Sequence, residues 1–171
     1  KLAIDIQFVL TGDRSEFAID KNFENWNNCE NQLIYFTNEK KFLAPTATGM
    51  RYPWIEPYWG NTYGLFCKGT TIGTFSTAVA EVKQVQLEDY TQSSNNIEAV
   101  IQLNASTDTL VINTRQLYRG YSASVYRSIF NFASEEDQKK YLKELVKFGT
   151  NSENIISTKL ENQDFESYSD N

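Results

Sequence analysis

The chain contains no histidine among its 171 residues. That absence excludes every Ser-His-Asp and Cys-His catalytic arrangement, every His-ligated zinc or haem iron, and the commonest general base near neutral pH. Positive charge is scarce too: 16 Lys plus Arg stand against 22 Asp plus Glu, a net charge of −6. An acidic surface repels phosphate backbones, so nucleic acid is not an expected partner. No stretch approaches the ~18 consecutive apolar residues of a membrane-spanning helix, and no membrane span is expected. Catalysis would have to rest on carboxylates, Lys, Tyr or a low-pKa thiolate at Cys29 or Cys67 without histidine to assist it. The expectation is therefore no enzyme, no required cofactor and no metal site.

What the chain does have is rings. Hydrophobic residues make up 40% and charged residues 22%, a globular balance that argues against disorder. Ten Tyr, 11 Phe and 3 Trp bring the aromatic share to 14%. Large rings fill cores and line small-molecule pockets, so the composition leans towards binding. The chain starts at Lys1 rather than Met, and a removed signal peptide is one reading of that. Asn104-Ala105-Ser106 is an N-glycosylation sequon, meaningful in a secretory setting. Cys29 and Cys67 form an even pair suited to one disulfide, the alternative being two buried thiols acting as small hydrophobes. A secreted, extracellular location is the expectation.

Along the chain, period-two alternation dominates. Leu2, Ile4, Ile6 and Phe8 alternate with polar or small residues, and 33–36 and 63–68 are further short runs. Residues 74–87 are long and rich in Val and Thr. Their apolar phase slips, which predicts a bulge near Lys83-Gln84. Ile97, Ala99, Ile101 and Leu103 alternate cleanly, Leu110-Val111-Ile112 begins another strand, and Tyr121, Ala123 and Val125 alternate in a last one. Hairpin-length linkers join them. The period then changes. Ser134 followed by Glu135-Glu136-Asp137 reads as an N-cap with acidic first-turn residues. Tyr141, Leu142, Leu145 and Val146 recur at helical spacing, and Gly149 is the stop. One amphipathic helix over 134–148 is predicted. A short strand at 154–157 follows, then a flexible acidic tail over 161–171.

This order of elements, with its local residues, resembles the lipocalins, most closely the insect and apolipoprotein D-like branch. Asn22-Phe23-Glu24-Asn25-Trp26-Asn27-Asn28-Cys29 followed by Tyr35 is similar to the family's first large loop and second strand. Residues 106–112 look like its Thr-Asp-Tyr turn, with Thr109 in the tyrosine's place. Ser124-Val125-Tyr126-Arg127 resembles the end of the eighth strand, and 134–156 the helix and closing segment. The family's Gly-x-Trp and its late cysteines are absent. The resemblance implies an antiparallel up-and-down β-barrel of about eight strands over 1–160, closed at one end by Arg127. It also implies a bound fatty acid, retinoid, carotenoid or bilin.

Candidate ligand contacts follow from that barrel. Ile97, Ala99, Ile101, Tyr121, Ala123 and Val125 face inward, either filling a core or lining a cavity. Tyr35 and Phe66 add rings from the first half of the chain. All three prolines and two of the three tryptophans fall within 45–60, so that stretch is a loop. Its Trp54 and Trp59 belong to a lid over the ligand, to a loop packing its own rings, or to a surface holding a protein or glycan partner. Whether the chain self-associates is open at this level.

Overall fold

The computed structural model describes residues 4–22, 26–147 and 154–162. Seven strands and two helices follow in order: β1 (Ile6–Thr11), β2 (Asn31–Phe36), β3 (Lys41–Leu43), β4 (Thr62–Ile72), β5 (Phe75–Val85), β6 (Ser94–Asn104), β7 (Thr109–Arg119), α1 (Tyr121–Phe132) and α2 (Glu135–Val146). The protein is mostly β, and every strand pair is antiparallel. The described strands form an open five-stranded sheet, order β3-β2-β1-β4-β5, and a two-stranded sheet β6-β7. They do not close into an eight-stranded barrel. The chain divides into two compact units, Lys1–Asp89 and Tyr90–Asn171.

In the first unit, one face of the sheet carries the core. Val9, Leu33, Phe66 and Val85 point to it from β1, β2, β4 and β5. Phe42, Ala44, Ala47 and Ile55 join them from β3 and the loop beyond. Parity on β1 is the reverse of its most apolar set: Val9 is fully buried, whereas Ile6 and Phe8 are 47% and 43% exposed. The loop covers only the face that Val9 occupies, and this decides the burial. Thr11, also fully buried, donates its hydroxyl to the Trp59 carbonyl at 3.1 Å, which keeps a polar group from being stranded in the core.

β4 and β5 pair residue for residue from Thr62↔Val85 to Ile72↔Phe75, with no bulge at Lys83-Gln84. The apolar phase slips because this long hairpin has apolar residues on both faces, not because the ladder is interrupted. Gly73, at φ +63°, opens the two-residue turn between the strands, a conformation that favours glycine.

In the second unit, β6 and β7 pair over their full eleven residues around an exposed turn at 105–108. The predicted strand at 121–126 is instead the first half of α1. Alternation over six residues mimics a strand, but the wider window contains a helical stripe. Ala123, Tyr126 and Phe130 recur at three to four residues; Ala123 and Phe130 are buried, and the Tyr126 ring lies 4.2 Å from that of Tyr118 on β7. Gly120, at φ +57°, turns the chain from strand to helix. The described residues thus hold two α-helices where one was expected. α2 begins as the sequence predicts: the Ser134 hydroxyl accepts from the Asp137 amide at 3.2 Å. Gln116 on β7 donates to the Leu145 carbonyl at 2.8 Å and holds the C-terminal end of α2. Residues 154–157 form no strand. Gly149 and residues 163–171 of the tail lie outside the described residues.

Candidate functional site

Strand register brings Tyr35, Phe42 and Phe66 together. The Tyr35 ring centroid lies 4.9 Å from Phe42 and 5.3 Å from Phe66, the latter edge-to-face, and Phe42 and Phe66 are 6.0 Å apart. Such geometry satisfies the ring quadrupoles and gives a stiff apolar floor. Two of the sequence-predicted contacts, Tyr35 and Phe66, therefore share one cluster. Trp59 packs on the same core, and Trp54 is half-buried in the adjoining loop. The loop is fastened to the chain after β1: the Tyr58 carbonyl accepts from the Arg14 amide at 2.9 Å, and the Arg14 guanidinium lies 5.6 Å from the Tyr58 ring.

Beside the aromatic cluster the same face opens into a shallow groove of about 260 Å³. Phe66 forms its inner end. Gln7, Lys68, Thr70 and Val79 line it with Glu81 and Lys83. The ammonium of Lys83 bonds the Glu81 carboxylate at 2.7 Å and stands 5.9 Å from the Phe66 ring centroid. The groove thus offers an apolar wall, two ammonium groups and one carboxylate. It has the composition of an amphipathic small-molecule site.

Apart from Phe66, none of these lining residues is a sequence-predicted contact. The available signal was parity. Phe66, Lys68 and Thr70 alternate on β4, and Val79, Glu81 and Lys83 on β5, so a hairpin turn at Gly73-Thr74 aligns both sets on one face.

The remaining predicted contacts lie in the second unit. Ile97, Ala99 and Ile101 do share a face of β6, and all three are exposed, Ile101 at 61%. Tyr121, Ala123 and Val125 do not continue that face, because they are helical: Ala123 is buried and Val125 is 60% exposed. Arg127 likewise sits within α1, not at the end of an eighth strand, so it is not placed as a barrel-closing residue. Asn104 ends β6 at the exposed hairpin turn, where its side-chain oxygen accepts from the Ser106 amide at 3.1 Å.

Cys29 and Cys67 are free thiols, each half-buried, and the expected disulfide is not formed. An even cysteine count permits a bridge but does not align the two side chains for one. Burial pushes the Cys29 thiol above its ordinary pKa, and the neighbouring Cys67 adds to the shift. A raised pKa lowers the thiolate fraction, the opposite of what a nucleophilic cysteine needs. Among the described residues no group of three Cys, Asp or Glu side chains is placed to hold a metal ion. No helix among them is long and apolar enough to cross a membrane.

The chain matches no protein-family model, no curated protein and no solved structure.

Proposed function

We propose that this chain is a non-catalytic carrier of a small hydrophobic molecule with an acidic head group, held in the groove beside Phe66. The observation that carries this reading is a groove walled by Phe66 and Val79 and rimmed by Lys68 and Lys83. An apolar body leaving water for that wall is favoured by roughly 25 cal/mol per Å² of apolar area removed. A carboxylate at the rim meets two ammonium groups, and Glu81 discriminates against a second negative charge. At about 260 Å³ the groove lies just under the ~300–1,000 Å³ of drug-sized pockets. It fits a short chain, a single ring or one end of a longer molecule.

Among the classes that the lipocalin resemblance implies, fatty acids and retinoic-acid-like compounds suit the lysines best. An extracellular location belongs to this proposal, and the exposed Asn104 turn supports it, since a glycan finds room there. Displacement of a fluorescent fatty acid by unlabelled carboxylates tests the reading. Saturable binding that fails for the matching alcohols and weakens in Lys68→Met and Lys83→Met supports it. The absence of saturable binding, or equal binding of acid and alcohol, overturns it.

A further inference from the structure

We infer that β5 is a self-association edge: two copies of this chain join their five-stranded sheets by antiparallel pairing of β5 with β5, with Val82 facing Val82 across the two-fold axis. β5 is the outermost strand of its sheet, eleven residues long, and all of them except Val85 are exposed. The other outer strand, β3, has only three residues. Of the devices that blunt an edge, β5 has no proline and no bulge, and its two charges, Glu81 and Lys83, are of opposite sign.

The register follows from hydrogen bonding and charge together. The two-residue turn makes Ile72 and Phe75 a hydrogen-bonded pair, and such pairs alternate along an antiparallel ladder. The odd-numbered residues of β5 therefore turn their backbone groups towards β4. Residues 76, 78, 80, 82 and 84 turn theirs to the open edge. A two-fold axis normal to the sheet sets some residue opposite its own copy, and each choice fixes every other pair. With Glu81 opposite Glu81, or Lys83 opposite Lys83, like charges meet. With Val82 opposite Val82, the two valines exchange backbone hydrogen bonds, and Glu81 of each copy faces Lys83 of the other twice over. Those two charge pairs occupy the non-hydrogen-bonded positions, where facing side chains come closest.

Glu81 and Lys83 already bond each other within the strand, so pairing extends a two-charge contact into a four-charge cluster in which every neighbouring pair is of opposite sign. The patch is locally neutral although the chain carries −6 overall. Because Val79, Glu81 and Lys83 also line the groove, the pairing sets the two grooves side by side on one face across the seam.

Sedimentation equilibrium of the full chain tests this, with circular dichroism to confirm that each variant is folded. The unsubstituted protein is expected to dimerise in the micromolar range, less tightly at high salt. Glu81→Lys alone and Lys83→Glu alone each set like charges opposite one another and should weaken the dimer by about tenfold or more. An equimolar mixture of the two variants restores opposite signs at every facing pair and should dimerise as a heterodimer. A monomeric unsubstituted protein overturns the inference, whether or not the amides of 76–84 are protected from exchange. So does a dimer that both substitutions leave intact, or two monomeric variants that fail to associate on mixing.

Discussion

The Lys83 ammonium stands 5.9 Å from the centroid of the Phe66 ring while bonding Glu81 at 2.7 Å, so one flexible side chain bridges the apolar and the charged halves of the groove. Phe66 is 4% exposed and belongs to the core, whereas the Lys83 side chain is 44% exposed and belongs to the surface. The two contribute differently. An exposed cation–π contact is worth about 0.5–1 kcal/mol, and an exposed ion pair rarely more. Lys83→Met should therefore lower unfolding free energy by no more than about 1 kcal/mol in urea titration, while weakening capture of a carboxylate ligand several-fold. A large stability loss without a change in binding would reverse these roles.

Leu33 is fully buried at the centre of the first unit's core. Leu33→Ala should cost about 2–5 kcal/mol, because the cavity is only partly refilled. Val125, 60% exposed on α1, marks the opposite extreme. Val125→Ala should be neutral or slightly stabilising, since alanine is the better helix former. On a strand the same change would destabilise, so its sign tests the helical assignment of residues 121–126 directly.

That segment shows where the sequence was legible and where it was not. Alternation identified β6, and short apolar runs identified β2 and the start of β7, because each of those strands is long or well punctuated and pairs with a near neighbour in the chain. The Ser134 cap identified α2 because capping is a local interaction. Tyr121-Ser122-Ala123-Ser124-Val125-Tyr126 misled because six residues are too few to separate period two from period 3.6, and the helical stripe Ala123, Tyr126 and Phe130 emerges only in a wider window. The groove was illegible for another reason. Gln7, Lys68, Val79 and Glu81 come from three strands, and only the β1–β4–β5 register places them together. Read singly, each is a solvated polar or apolar strand residue. Lipocalin-like order likewise suggested a closed cylinder, but strand order alone does not decide whether outer edges meet.

Two tyrosines should titrate late. Burial, a hydrogen bond to Glu39 and the Glu39 and Glu88 charges push Tyr52 up to about 12. Burial, then a hydrogen bond donated to Tyr126 and the charge of its phenolate, do the same for Tyr118. In each case the folded pKa exceeds the unfolded value near 10, so the native state holds its proton longer than the unfolded chain. The resulting stability is fully present below pH 10 and is lost as pH rises towards about 12. Absorbance at phenolate wavelengths should show Tyr52 and Tyr118 ionising towards about pH 12. Tyr52→Phe should flatten part of that alkaline loss.

Alkylation followed by mass spectrometry should count the thiols. In denaturant without reductant, two adducts are expected, because Cys29 and Cys67 are unbridged. In the folded protein Cys29 should react more slowly than a free thiol at the same pH, since burial raises its pKa. No adducts before reduction, and two after it, would establish a disulfide instead.

The last prediction concerns two glycines on one strand. At Gly64 an added Cβ would lie 2.8 Å from Val85 Cγ2, 3.0 Å from the Leu10 carbonyl oxygen and 3.2 Å from Val9 Cγ1. All three neighbours are fixed: Val9 and Val85 are fully buried, and the carbonyl belongs to the paired strand β1. Relief requires β1 and β5 to shift against the core, so Gly64→Ala should destabilise by about 1–3 kcal/mol, the range for overpacking. At Gly69 nothing lies within 4 Å of the added atom, and its φ is not in the left-handed region. Gly69→Ala should be neutral or stabilise by up to about 1 kcal/mol, because alanine loses less backbone freedom on folding. Urea titrations of the two variants should therefore move in opposite directions from the parent. Equal losses at both positions would mean that glycine serves β4 through its backbone throughout, and that close packing against Val85 is not what Gly64 provides.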